Sequence, residues 1–469
     1  MSRHPGSGHL DESLPKTVAT ELSAFRRSLH RCLPSWGDAL FELCDAALCS
    51  PERVCSVPAL SLEPAFRRSH GSLYKALALG SIDEEGLRKL LVAHRPKGWP
   101  QVFAVDSSTW GRRYAATSPD RAFYYAPSVN SSGRPVVAGW SYQWICQLDW
   151  APDSWIAPVD VTRLKPGEDA TTATLTQVCS LVERLPAADA APLFVFDAGY
   201  DPIALGAELA CVHTQVVVRM SSKRVFHSDP PLWPPGTPGR RPRHGARFAL
   251  SEPDTWRAPD AELEVHDARY GVVKVSAWRA LHPRLVNKRR WKGSGLPIVR
   301  GTVVRVEVER LPRPPGHVKK TLWLWWSGPG EVDLDLCWRA YLRRFDIEHA
   351  FRFFKSTLGW TTPALRMPGQ ADRWTWLVVA AYTQLRLARG LVDDMRLPWE
   401  KRLDPSLLTP ARVRRGFRRL RVAIGTPAHA PKSFTPGPGR PKGTTKPPRT
   451  RYPIPRRDKR RRPERMTRV

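Results

Sequence analysis

The sequence predicts an α/β protein, and three observations carry that prediction. Two apolar runs, residues 101–106 (QVFAVD) and 192–197 (PLFVFD), each read as a buried strand with a carboxylate near its C-terminal end, Asp106 and Asp197. Around them, strand-like runs at 136–148, 155–162 and 215–220 alternate with helical periodicity at 169–183. Residues 341–355, compatible with a helix, carry Tyr341, Arg344, Glu348 and Lys355 in the spacing Y-x2-R-x3-E-x6-K. Strands alternating with helices imply a sheet with parallel pairs, and the edge where such strands end is where active sites form in open α/β folds.

Taken in order, residues 1–99 read as a helical N-terminal domain, with apolar residues at helical intervals over 21–48 and 82–94. Within it, residues 66–86 suit a helix, a turn and a second helix, which offers a DNA-binding role beside the plainer reading of a helical cap. Residues 95–100 (RPKGWP) break the helix and lead into the first strand. The first part of the core, residues 100–220, runs in the order βββαβαβ, with Gly199 permitting a sharp turn after Asp197 and Asp201-Pro202 suiting a helix start. Residues 221–320 read as a β-rich insertion that opens with a Pro/Gly/Arg loop at 229–245 and continues in β-branched or alternating runs at 270–278 and 301–309. Residues 321–326 (TLWLWW) return the chain to the second part of the core, residues 321–400, which contains Glu348. Residues 401–469 read as a basic, largely disordered C-terminal tail in which 412–421 suits a basic helix. From 431 to 469 the tail holds 14 Lys/Arg against two acids, a net charge of +12, with almost no apolar side chains to bury.

On an unbroken helix, Arg344, Glu348 and Lys355 fall about 60°, 20° and 40° behind Tyr341, so the four side chains share one narrow stripe. Phe345, Phe351, Phe353, Phe354 and Leu358 supply apolar surface to fix that stripe against a core. The competing reading is an amphipathic helix with an ordinary Arg344–Glu348 pair, and for each strand aspartate a cap or turn residue. The co-occurrence of two strand-end acids with the Tyr/Arg/Glu/Lys stripe favours a site.

On Asp106 in VDSST, Asp197 in FDAGY and Glu348 in the spaced motif, the chain resembles bacterial insertion-sequence transposases of the DDE class. The resemblance implies an RNase H-like core interrupted by a β-rich insertion. It also implies that Asp106, Asp197 and Glu348 are catalytic, converge in space and hold two Mg²⁺ ions, with Mn²⁺ as a substitute. Tyr341, Arg344 and Lys355 are then expected to engage DNA phosphates beside the scissile bond. The expected activity is metal-dependent cleavage at element ends followed by strand transfer into target DNA, on double-stranded DNA and as a homodimer in the DNA complex. The 91 residues between the aspartates are ordinary for such a core, whereas the 151 between Asp197 and Glu348 require an insertion. Two other readings remain open: an RNase H-like nuclease without strand transfer, and a noncatalytic DNA-binding descendant.

Composition agrees with a polyanionic partner: 74 Lys+Arg against 44 Asp+Glu give a formal net charge of +30. The tail segment 438–443 (PGRPKG) resembles an AT-hook core, which makes Arg440 and Lys442 candidate DNA contacts beside a merely nonspecific polycation. No run of 18 apolar residues and no signal-like N-terminus is present, so a soluble, cytoplasmic, nucleoid-associated protein without a membrane partner is expected. Eight Cys are too sparse for a disulfide framework. Cys32, Cys44, Cys49 and Cys55 lack C-x2-C spacing, so buried free thiols are favoured over a zinc site. The 19 Trp suit core packing, or stacking on bases.

Overall fold

The structure is a computed structural model that describes residues 16–125, 136–187, 190–285, 296–311, 321–433, 441–445 and 447–454. Five helices come first: α1 (Lys16–Arg31), α2 (Gly37–Cys49), α3 (Val57–Leu60), α4 (His70–Leu79) and α5 (Glu84–Ala93). Their starts follow local chemistry. The Ser56 hydroxyl accepts from Ala59 N at the head of α3, and the Asp83 carboxylate accepts from Gly86 N at the head of α5, where Glu84 and Glu85 favour the positive end of the helix dipole.

The sheet follows: β1 (Val102–Gly111), β2 (Ala122–Tyr125), β3 (Val136–Leu148), β4 (Ile156–Leu164), α6 (Ala170–Arg184), β5 (Leu193–Phe196), α7 (Pro202–Glu208) and β6 (Gln215–Met220). β1 pairs antiparallel with β3 and parallel with β5, β3 pairs antiparallel with β4, and β5 pairs parallel with β6. The spatial order β4-β3-β1-β5-β6 makes a mixed α/β sheet consistent with an RNase H-like core. The short strand β2, absent from the sequence reading, adds to the outer end of β3. Its four residues alternate between half-buried and exposed, too brief a pattern to stand out as a strand.

The inserted region continues the same sheet. After the two-stranded ribbon β7 (Val225–His227) and β8 (Arg247–Ala249) come β9 (Ala261–Asp267), β10 (Gly271–Leu281), β11 (Gly301–Val308) and β12 (Thr321–Ser327). β12 pairs antiparallel with β6, and β11, β10 and β9 follow outward, giving a ten-stranded sheet. Segments 286–295 and 312–320 of that region lie outside the described residues.

Four helices complete the fold: α8 (Leu334–Arg343), α9 (Asp346–Ser356), α10 (Pro368–Leu387) and α11 (Pro410–Ile424). α10 packs on α1, α2, α4 and β4, and α11 packs on α2 and α10. Leu22, Phe25, Leu40 and Leu43 share one apolar cluster with Val379, Leu385, Val413 and Phe417, so no packing boundary falls at residue 99. A buried ion pair ties these elements. Arg26 donates to Asp45 at 2.7 and 2.9 Å, to Gln384 at 2.5 Å and to the carbonyl of Gly425 at 3.1 Å. The expectation of a largely disordered tail from 401 is corrected here. Val413, Phe417 and Leu420 are buried, and the buried Arg414 donates to the carbonyls of Ala47 and Glu52, so residues 410–424 belong to the core. The tail segments 434–440 and 455–469 lie outside the described residues. No helix among the described residues is long and apolar enough to cross a membrane.

The tryptophans go mainly to the interior. Trp144 meets Phe351, Phe354 and Trp360 at ring distances of 5.6, 5.3 and 5.1 Å, which fastens α9 to the sheet. All eight cysteines are free thiols, with Cys32, Cys44 and Cys49 buried and Cys55 exposed. Burial pushes the Cys49 thiol up to about 12. After α9 the chain turns at Gly359 (φ +65°), where a Cβ would stand 2.3 Å from the carbonyl oxygen of Val54. Gly359→Ala combines left-handed strain with that clash and is expected to lower unfolding stability by at least about 2 kcal/mol, read by urea denaturation. An unchanged midpoint would show that this turn does not constrain α9.

Candidate active site

The parallel pairing of β1 with β5 ends at the couple Val105↔Phe196. Asp106 and Asp197 are the next residues on their chains, so the two acids sit side by side where the strands part. Neighbouring strands lie about 4.8 Å apart, and side chains alternate between faces. Val102, Ala104, Leu193 and Val195 line the face that packs on α9, while Phe103, Val105, Phe194 and Phe196 join α6 on the other. By that alternation both acids face α9. Unlike the sequence reading, β1 does not stop at Asp106. It continues to Gly111 through pairing with β3 alone, so the acid lies in mid-strand with one open side. The Asp106 carboxylate accepts from Ser107 N at 2.7 Å, and Asp197 accepts from Gly199 N at 2.8 Å. The latter contact uses the turn that Gly199 allows, since a Cβ there would lie 3.0 Å from the Asp197 Oδ1.

The motif segment is two helices, not one. α8 ends at Arg343 and α9 begins at Asp346, joined by a tight turn in which Ile347 N donates to Arg344 O and Glu348 N to Phe345 O. The unbroken-helix stripe is corrected accordingly, and Phe345, expected in the core, is 49% exposed. The turn is stabilised by the buried Asp346, paired with Arg343 at 2.9 Å. It also delivers Arg344 to the sheet. Arg344 donates to Asp106 at 2.8 Å and stands 3.8 Å from Glu348, with its guanidinium over the Tyr341 ring at 5.9 Å. Arg344 is 8% exposed, whereas the Glu348 side chain is 45% exposed. Lys355 sits over Trp360 at 5.8 Å.

The electrostatics tie these groups into one field. Burial pushes Asp106 up to about 6, with Arg344 pulling it down and Asp197 pushing it up. Burial likewise raises Glu348, opposed by Arg344 and reinforced by Asp197. Burial lowers Lys355, opposed by Asp106. Tyr341 is raised by burial and opposed by Arg344 and by Arg219, with which it also hydrogen bonds. The three acids do not form a closed cage: among the described residues, the one trio of ligand atoms lying within 4.8 Å of one another is elsewhere, at His30, Asp38 and His429. Here the Arg344 guanidinium stands between Asp106 and Glu348.

Three participants escaped the sequence reading. Arg219 on β6 reaches Tyr341, and its signal was a lone cation inside the apolar run 216–220. Tyr200 lies buried beneath both aspartates and donates to Gln143 at 3.0 Å, and Gln143 pairs across from Ser107 in β3. These contacts couple distant strands, so no local pattern announces them. Of the tail candidates, Lys442 is exposed and Arg440 lies outside the described residues.

The Asp106 shift has a stability consequence with a definite sign. The folded-state value near 6 exceeds the ordinary 3.8, so between pH 4 and 6 the folded chain holds a proton that the unfolded chain has lost. Metal-free stability therefore falls as pH rises through that window. Asp106→Asn removes the titration, and the variant should gain on the wild type by up to about 3 kcal/mol between pH 4 and pH 7. Urea unfolding in chelator at both pH values measures it; a pH-independent difference between the two proteins would contradict the assignment.

No curated protein matches this chain. The family model described as DDE superfamily endonuclease matches residues 28–300, more than half of the chain. That span contains Asp106 and Asp197 and ends before Glu348, so the third acid stands on its geometry alone. With its α/β sheet and two aspartates side by side where β1 and β5 part, the chain belongs to the DDE superfamily endonucleases.

Proposed function

We propose that this chain is a DNA transposase that cuts at element ends and joins the freed 3′-hydroxyl to target DNA, with Asp106, Asp197 and Glu348 as its catalytic acids. One observation carries the reading. Two carboxylates leave adjacent parallel strands side by side, and a buried arginine links the first of them to the exposed glutamate of the facing helix.

The donor set fits a pair of hard divalent cations. All three groups offer carboxylate oxygens, the choice of Mg²⁺ with Mn²⁺ as substitute. The site already calls for positive charge: Asp106 is kept from water, and burial pushes its carboxyl up to about 6 despite Arg344 beside it. Bound there, two ions would supply the charge that activates the attacking oxygen and stabilises the leaving one.

The chain's own residues do the rest. Asp106 and Asp197 are oriented by the backbone donors of Ser107 and Gly199, each to one carboxylate oxygen, while Arg344 holds the second oxygen of Asp106. Glu348 approaches from α9 on the solvent side. Arg344, Lys355 and Tyr341 line the same place with two cations and a phenol, a set suited to phosphates flanking the scissile bond. Arg219 extends that lining. Ring contacts among Trp144, Phe351, Phe354 and Trp360 pack α9 on the sheet, which guards against the small misplacements of the phosphate that cost rate.

Asp106→Asn, Asp197→Asn and Glu348→Gln should each abolish Mg²⁺-dependent strand cleavage while folding and DNA binding persist, because the amides keep shape and lose charge. Cleavage assays on duplexes bearing the element's ends measure this, and near-normal cleavage by any one of the three would remove that residue from the site. Joining of a pre-cut 3′ end to a target plasmid separates a transposase from a nuclease that only cuts.

A second measurement separates grip from chemistry. Deleting residues 431–469 should weaken binding to all sequences alike and flatten the salt dependence by about 0.9 log unit per lost phosphate contact, leaving single-turnover cleavage at saturating DNA intact. Lys355→Ala should instead cut turnover on the order of 100-fold. Turnover lost with the tail, or kept without Lys355, would reverse this division.

A further inference from the structure

Outside the carboxylate site, two histidines, one near the start of the chain and one beyond α11, converge on a single oxygen of Asp38. His30, near the end of α1, places Nε2 2.8 Å from Asp38 Oδ1. His429, five residues beyond α11, places Nδ1 3.2 Å from the same Oδ1, and its backbone N–H donates there at 3.1 Å. The ligand atoms of all three lie within 4.8 Å of one another. The rings stand 6.0 Å apart and tilted by 58°, so they approach the oxygen from different sides.

The spacing is that of a coordination sphere. Two ligand atoms bound at 2.0–2.1 Å in tetrahedral geometry stand about 3.3 Å apart, which the 3.2 Å contact matches and the 2.8 Å contact reaches by opening about 0.5 Å. The surroundings hold the trio in place. Phe41 packs edge-on against His30 at 5.7 Å. Arg67 and Arg68 both donate to the carbonyl of His429, at 3.1 and 2.7 Å. Arg68 also pairs with Asp38 Oδ2 at 3.3 Å, leaving Oδ1 to the histidines. The two arginines are balanced by Asp38 and the fully buried Glu42, so the local charge is neutral before a cation arrives. His429 is largely exposed, which leaves water access for a fourth position.

A second histidine group lacks this convergence. His244 Nδ1 meets His282 Nε2 at 3.0 Å, but Asp229 lies 3.7 Å from the opposite nitrogen, Nδ1, so the three donors face no common point.

We propose that His30, Asp38 and His429 form a transition-metal site of the zinc class, distinct from the strand-end carboxylates, which clamps the segment after α11 onto α1 and α2. Two imidazoles and one carboxylate oxygen favour Zn²⁺ over Mg²⁺, whereas the three acids of the sheet edge favour the reverse. Each imidazole presents its lone pair to the ion once its ring hydrogen sits on the other nitrogen. The clamp closes a loop of nearly the whole chain, since 391 residues separate Asp38 from His429. It fixes the root from which residues 431–469 depart.

The test uses the full-length protein, with Zn²⁺ titrated by calorimetry and Co²⁺ followed by its visible absorption. With excess Mg²⁺ present to occupy the carboxylate site, the wild type should bind one further ion with tetrahedral Co²⁺ bands and show a rise in Tm with Zn²⁺. His30→Ala and His429→Ala should each weaken Zn²⁺ at least 10-fold, by the scale of a lost ligand contact, and abolish the Zn²⁺-dependent rise in Tm. Because His429 is exposed, its variant folds normally and isolates ligation from stability. Asp106→Asn should bind Zn²⁺ like the wild type, so this result is independent of the cleavage reading. Absence of Zn²⁺ binding, or binding that both histidine variants retain, overturns the proposal.

Discussion

Two carboxylates on neighbouring parallel strands repel, and much of the structure around β1 and β5 answers that repulsion. At a strand separation of about 4.8 Å, two unit charges in a partly screened site cost about 3 kcal/mol. Asp106 meets the cost partly by holding its proton and partly by pairing with Arg344. The pairing requires a cation brought over the sheet from the far side of a helix boundary. The break between α8 and α9 does this: with Arg343 turned to Asp346 and Arg344 turned to Asp106, two consecutive arginines serve two different acids. One straight helix would set consecutive side chains about 100° apart, and the tight turn adjusts their aim.

The delivery of α8 and α9 depends in turn on the inserted strands. Between Asp197 and Glu348 the chain adds β9, β10 and β11 outside β12, and β12 seals the open edge of β6. An uncovered β6 would expose a row of unpaired backbone groups. Gly301 lets Trp325 of β12 lie against β11, where a Cβ would stand 2.3 Å from that ring, and Trp325 stacks on Phe226 at 5.5 Å. The insertion is thus a continuation of the sheet that sets where the last acid's helix begins.

How much of this could be read from the sequence follows the physics of each signal. The strands at 136–148, 193–196 and 215–220 were legible because buried sheet strands are continuous apolar runs, and the two aspartates were legible because they end such runs. The continuation of β1 past Asp106 was not, since SSTW carries no strong strand pattern and its pairing with β3 is a long-range fact. The break at 344–345 was hidden because both residues keep right-handed helical angles. The pairing of Arg344 with Asp106 was not legible either, because it depends on a strand 238 residues away.

The same limit explains the C-terminal helix. A sequence with six arginines in residues 412–421 reads as solvated, because periodicity registers average polarity and not where each charge ends. In α11 the charges are spent on specific partners. Arg414 satisfies carbonyls at the end of α2, Arg421 reaches Asp45 at 3.3 Å, and Arg415 pairs with Glu400. Val413, Phe417 and Leu420, spaced at four and three residues, form the narrow apolar seam between them. Buried Asp45 is met by both Arg26 and Arg421, and removing Asp45 would leave the buried Arg26 without its carboxylate partner. The helices at the two ends of the chain are therefore joined by apolar contacts, with Leu22 and Phe25 in one cluster with Leu385, Val413 and Phe417, and by the polar reach of the Arg26–Asp45 pair to Gln384, Arg421 and the carbonyl of Gly425.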